Sequence, residues 1–171
     1  MQMNDKPILI CYDGSSGAAR AIETAAALVG PRRAVVLDVA SSMTPAESLA
    51  GTYSAMAGAA LAAIHAAEAV RIAAEGTEIA RSSGFDAVAR ATRAVPTWEG
   101  IVEIADELDA PVIVIGSRGL FGLNEAVHGS VSHQVAGHAG QPVLIVPPPG
   151  KRGADGDGDG DGDGDGDGDG R

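Results

Sequence analysis

Residues 111–130 read PVIVIGSRGLFGLNEAVHGS, an apolar run that breaks into a glycine-rich stretch and ends on Gly129-Ser130. Pro111–Ile115 carries no charged side chain, as expected of a strand buried on both faces. Glycine has no Cβ, so the backbone after the strand can take left-handed angles and come close to a ligand. Main-chain N–H groups along this stretch could then reach phosphate oxygens. At Ser130 the loop meets a predicted helix running to about His138. The unpaired N–H groups and dipole of a helix start favour an anion. The Ser130 hydroxyl can donate to a phosphate or cap the helix; the plainer alternative is a surface loop with a capping serine.

Working outward, short apolar runs alternate with Ala-rich helical stretches. Pro7–Asp13 (PILICYD) predicts a buried strand ending at an Asp-Gly-Ser-Ser turn. Ser16 is placed to cap the next helix, about Gly17–Val29, which Gly30-Pro31 closes. Arg33–Val39 (RAVVLDV) is a second strand, Ser41–Ala50 a loop, and Met56–Arg81 a long helix. Asp86–Thr92 alternates only weakly, which suits a third strand near a sheet edge. Pro96-Thr97 opens a helix to about Leu108, with Thr97 as its cap, and Pro142–Val146 (PVLIV) is a fifth strand. Strands alternating with helices require crossover connections, hence an α/β, doubly wound, five-stranded and mainly parallel sheet.

Ligands of such sheets sit beyond the carboxyl ends of the strands at the switch point. Here the first strand ends in Asp13-Gly14-Ser15 and the fourth in the glycine loop. Gly116-x-x-Gly119-x-x-Gly122 is not the GxGxxG dinucleotide fingerprint, and no GxxxxGK[ST] is present, since Gly150-Lys151 leads into Arg152. Gly116, Gly119 and then Gly129-Ser130 do match the G-2x-G-9x-G-(S/T) ATP-binding pattern of the universal stress protein family. Ile8–Ser15 (ILICYDGS), Val112–Gly119 (VIVIGSRG) and Gly129–Val146 (GSVSHQVAGHAGQPVLIV) resemble that family's first strand, fourth strand and closing helix and strand. The resemblance extends over about residues 6–147.

The resemblance implies a Rossmann-like fold with strand order 3-2-1-4-5 and an adenine nucleotide, ATP or a relative, with or without Mg²⁺. By position, Asp13 matches the acidic residue near the ribose and any bound metal, and Val39 the residue whose backbone meets the adenine. Gly116 falls near the ribose; Gly119, Gly129 and Ser130 match the phosphate-contacting positions. Arg118 is a variable position within the motif. The family commonly dimerises through its last strand, and the apolar Val143–Val146 could pair with a second copy.

Composition narrows the remaining choices. From Ala154 onward the chain alternates Asp and Gly; such a tail has nothing apolar to bury and should stay disordered. This leaves residues 1–150 as one domain and 151–171 as an acidic tail. In the tail eight Asp stand against Lys151, Arg152 and Arg171, so a net −5 of the formal −11 lies there and −6 on residues 1–150. A domain this acidic is a poor partner for nucleic acid, which needs clustered cations. No stretch approaches the roughly 20 apolar residues of a membrane span, and MQMNDKP has no apolar signal core, so the expected compartment is the cytoplasm.

The single cysteine, Cys11, excludes an internal disulfide and reads as a small buried residue. His128, His133 and His138 are five apart, turning successive side chains by about 140° on a helix, so they do not form a metal face. Trp98 is expected to pack a helix start onto the sheet. Neither Ser15 nor Ser117 has a matched base nearby, so no catalytic residue is assigned. The leading expectation is a nucleotide-binding regulatory module. A weak nucleotide hydrolase or transferase on the same fold, and a nucleotide-free interaction protein, are the alternatives.

Overall fold

The computed structural model describes residues 5–40, 55–117 and 131–148. Nine elements follow in the order β1 (Ile8–Cys11), α1 (Ser16–Val29), β2 (Arg33–Ala40), α2 (Ala55–Ser82), β3 (Asp86–Arg93), α3 (Thr97–Glu107), β4 (Ile113–Gly116), α4 (Val131–His138) and β5 (Val143–Val146), counted among the described residues. Ser41–Ala50, Gly119, Gly129, Ser130 and the tail lie outside them.

The strands form one sheet in the order β3-β2-β1-β4-β5, every neighbouring pair parallel. That is the expected order, and β3, the weakly alternating segment, is an edge strand. Period-two alternation divides β1 between two cores. Ile8, Ile10 and Tyr12 pack with Ala18, Ile22 and Ala25 of α1 and Ala80 of α2 on one face. Leu9 and Cys11 pack with Ile101, Ile104 and Ala105 of α3 and Val135 of α4 on the other. With helices on both faces, an inner strand has no polar side, which is why ILIC and IVI are apolar throughout.

The long α2 comes close to the sheet at Gly76. A Cβ there would stand 2.6 Å from the Tyr12 ring, so only glycine lets the helix seat against it. Tyr12 in turn donates its hydroxyl to Glu75 at 2.9 Å, and burial followed by this bond pushes its phenol up to about 12.

Two expected caps are corrected. Ser15, not Ser16, stands at the N-cap of α1, its Oγ accepting the Ala18 N–H at 3.1 Å. The helix therefore opens one residue earlier, because the Asp13–Ser15 turn brings the Ser15 side chain back over the first turn. At α3 the N-cap is Pro96, with no side-chain cap, and Thr97 is already helical. The strand ends are also trimmed: β1 stops at Cys11, and β4 and β5 begin beyond Pro111 and Pro142. Proline has no N–H to add to a ladder.

Candidate functional site

The topology places the switch point between β1 and β4. From β1 the chain winds outward to β2 and β3, and after β3 it crosses to β4 and β5 on the other side. The carboxyl ends of β1 and β4, with that of β2 alongside, therefore lie at the switch point, where sheets of this kind take their ligands. Three of the sequence-derived residues, Asp13, Val39 and Gly116, come to these three adjacent ends. Gly119, Gly129 and Ser130 lie outside the described residues, as do Arg118 and His128.

Asp13 follows directly on the β1 ladder, which ends with the Tyr12 N–H donating to the Leu37 carbonyl at 2.9 Å. Its Oδ1 accepts the Ser15 N–H at 3.0 Å, closing an Asx turn that Gly14 passes at φ 80°. The carboxylate is thereby held at the strand end beside the start of α1, and it is half-buried. Val39 lies opposite Thr92 of β3 and is 9% exposed, its side chain packed in the core on the α3 side. What Val39 can offer at the strand end is thus its main chain.

Gly116 has a structural reason that sequence alone does not reveal. It closes β4 opposite Val146, and a Cβ on it would lie 3.1 Å from the carbonyl carbon and oxygen of Gly17 and 3.3 Å from the Ala18 nitrogen. The first turn of α1 therefore rests against the end of β4, backbone against backbone. Ser117 leaves the strand with its N–H bonded to the Val146 carbonyl at 2.9 Å.

One residue at these strand ends was not singled out from sequence. Asp38, adjacent to Val39, is only 8% exposed. Burial, then the charges of Asp13 and Glu68, push its carboxyl from an ordinary 3.8 up to about 7. The signal was the carboxylate of Asp38 within the otherwise apolar AVVLDV, at a position where the strand pattern asks for an apolar side chain. Glu68 itself is held low by its pairing with Arg71, whose guanidinium also reaches Glu75. Cys11 is buried, and burial, then Asp13 and Asp38, push its thiol up to about 12, so it has no thiolate chemistry near neutral pH. Among the described residues no group of three or more His, Cys, Asp or Glu could hold a metal, and no helix is long and apolar enough to cross a membrane.

The fold and these strand ends define a doubly wound parallel α/β domain whose switch point gathers an acidic residue, a glycine and the end of β2. The universal stress protein family matches residues 5–147, and the chain belongs to that family. Universal stress protein YxiE of Bacillus subtilis (strain 168) is 29% identical over 147 residues, spanning 81% of this chain and 97% of YxiE. Among solved structures, the universal stress protein from Archaeoglobus fulgidus in complex with dAMP is similar with a TM-score of 0.54 at 24% identity, covering 82% of this chain and 97% of its own. A universal stress protein in complex with cAMP gives a TM-score of 0.53 at 23% identity, covering 84% and 98%. At these identities the likeness to the two structures is one of fold.

Proposed function

We propose that this chain is a cytoplasmic regulatory module that binds an adenine nucleotide, ATP foremost, at the carboxyl ends of β1, β2 and β4. The observation that carries the reading is the meeting of Asp13, Val39 and Gly116 at the switch point, with the Gly119 and Gly129-Ser130 motif positions following β4 in the sequence. Two relatives of the same fold hold adenine nucleotides, dAMP in one and cAMP in the other. In this reading the Val39 main chain meets the adenine, while Asp13 and Gly116 border the ribose. Gly119, Gly129 and Ser130 take the phosphates, and Mg²⁺ accompanies them near Asp13.

The residues suit such a ligand. The Val39 side chain is committed to the core, which leaves amide recognition of a planar base. The Asx turn fixes the Asp13 carboxylate at the end of β1. The family's dimer through its last strand fits β5, whose outer edge carries no strand among the described residues and whose Ile145 is 38% exposed.

Calorimetry on the full chain tests the reading. ATP is expected to bind in the nanomolar-to-micromolar range, and Gly129→Val is expected to abolish binding by filling the phosphate space. Absence of binding by ATP, ADP, AMP and cyclic AMP to the intact protein would overturn it.

A further inference from the structure

The helix that follows Gly129-Ser130 is weakly made. α4 is eight residues long, carries Gly137 inside it, and buries only Ser132 and Val135. An isolated helix of this length would not persist in water, and an interior glycine costs it a further ~0.5–1 kcal/mol relative to alanine. Its position must come from tertiary contacts, and one of them is specific. Trp98, in the first turn of α3, stacks on His138, the last residue of α4, with ring centroids 4.3 Å apart and planes 27° from parallel.

Both rings are held. Trp98 packs against the same core as Val135, Ala139 and Val143, so it is braced from the sheet side. The His138 Nδ1 lies 2.8 Å from the Gln134 carbonyl, one turn back on α4, where Nδ1–H donates. The stack thus joins the two helices that cover this face of the sheet.

We propose that Trp98 and His138 are positioning residues for nucleotide binding: their stack pins the C-terminal end of α4, and so fixes where its N-terminal end meets the phosphates. This rests on the nucleotide-binding reading above. Coupling between the ends of α4 is direct because the helix is barely two turns long and moves as a unit. With the stack broken, α4 is left with Val135 as its main apolar anchor, and part of the binding energy goes into ordering the helix.

The test uses the full chain, calorimetry with MgATP, and the emission of Trp98, the single tryptophan. His138→Ala removes the ring and its bond to the Gln134 carbonyl, while alanine, the better helix former, offsets the loss of that bond in the helix. It is expected to lower ATP affinity by about threefold to tenfold, the range an aromatic pair supports. His138→Phe restores a ring and should return the affinity to within about twofold of the parent. In the parent, MgATP is expected to change Trp98 emission with the calorimetric midpoint, and in His138→Ala that change should vanish; a residue with a purely structural role would leave emission blind to nucleotide. Parent affinity in His138→Ala, failure of His138→Phe to rescue, or Trp98 emission unchanged at saturation would each overturn the proposal alone. A parent that binds no adenine nucleotide would overturn the functional reading and this one with it.

Discussion

Asp38 sits where an uncharged side chain would cost less, and its titration follows from that. Its folded value, about 7, lies above the ordinary 3.8, so the folded chain keeps a proton that the unfolded chain releases. As pH rises from 4 toward 7 the unfolded state loses protons first, and stability falls across that window before levelling. Asp38→Asn should flatten the decline, giving a variant more stable than the parent at pH 8 by on the order of 1–2 kcal/mol and level with it near pH 4. Urea unfolding followed at both pH values checks this; a parent whose stability rises from pH 4 to 7 while the variant's does not would contradict it. Gly116 is the second residue with a sharp expectation. A Cβ at 3.1 Å from the Gly17 backbone meets atoms that cannot rotate away, so Gly116→Ala should destabilise the ligand-free protein by roughly 1–3 kcal/mol. The loss should appear in a thermal melt without nucleotide, which separates it from any effect on binding.

At the scale of elements, the α1 cap distinguishes the structure from the pattern that suggested it. Ser15 and Ser16 are equivalent in a list of capping residues, but only Ser15 reaches the Ala18 N–H. Ser15→Ala should cost about 1 kcal/mol, while Ser16→Ala should change stability little, because the exposed Ser16 is already inside the helix. Chemical denaturation of the two variants side by side decides it, and equal losses would mean that the cap is misplaced. The existence of each described element was legible from apolar runs, alanine content and Gly or Pro punctuation. Their ends were not, since they depend on side chains folding back onto the first turn and on which strand residues find a ladder partner. Thr97 illustrates this: it has the right chemistry for a cap, yet Pro96 occupies that position.

For the whole molecule, β3 and β5 are the sheet edges, and only β5 pairs a short apolar run with no charge. β3 carries Asp86, Arg90 and Arg93, charges that discourage pairing with a second chain. If β5 is where two copies meet, Ile145→Lys should convert a dimer to a monomer in sedimentation velocity while leaving nucleotide binding in place; a parent that sediments as a monomer would exclude this arrangement. The sequence by itself determined the fold class, the alternation of strands and helices, the glycine motif after β4 and the acidic residue after β1. These are local patterns, fixed by periodicity and by residues whose backbone freedom or charge is written in their chemistry. Only the tertiary structure decided that Gly116 must be glycine because α1 lies against it, that Gly76 makes room for Tyr12, that Asp38 is buried beside Asp13, and that Trp98 meets His138. Each of these joins residues far apart in the chain, and their proximity follows from the crossover connections rather than from any spacing in the sequence.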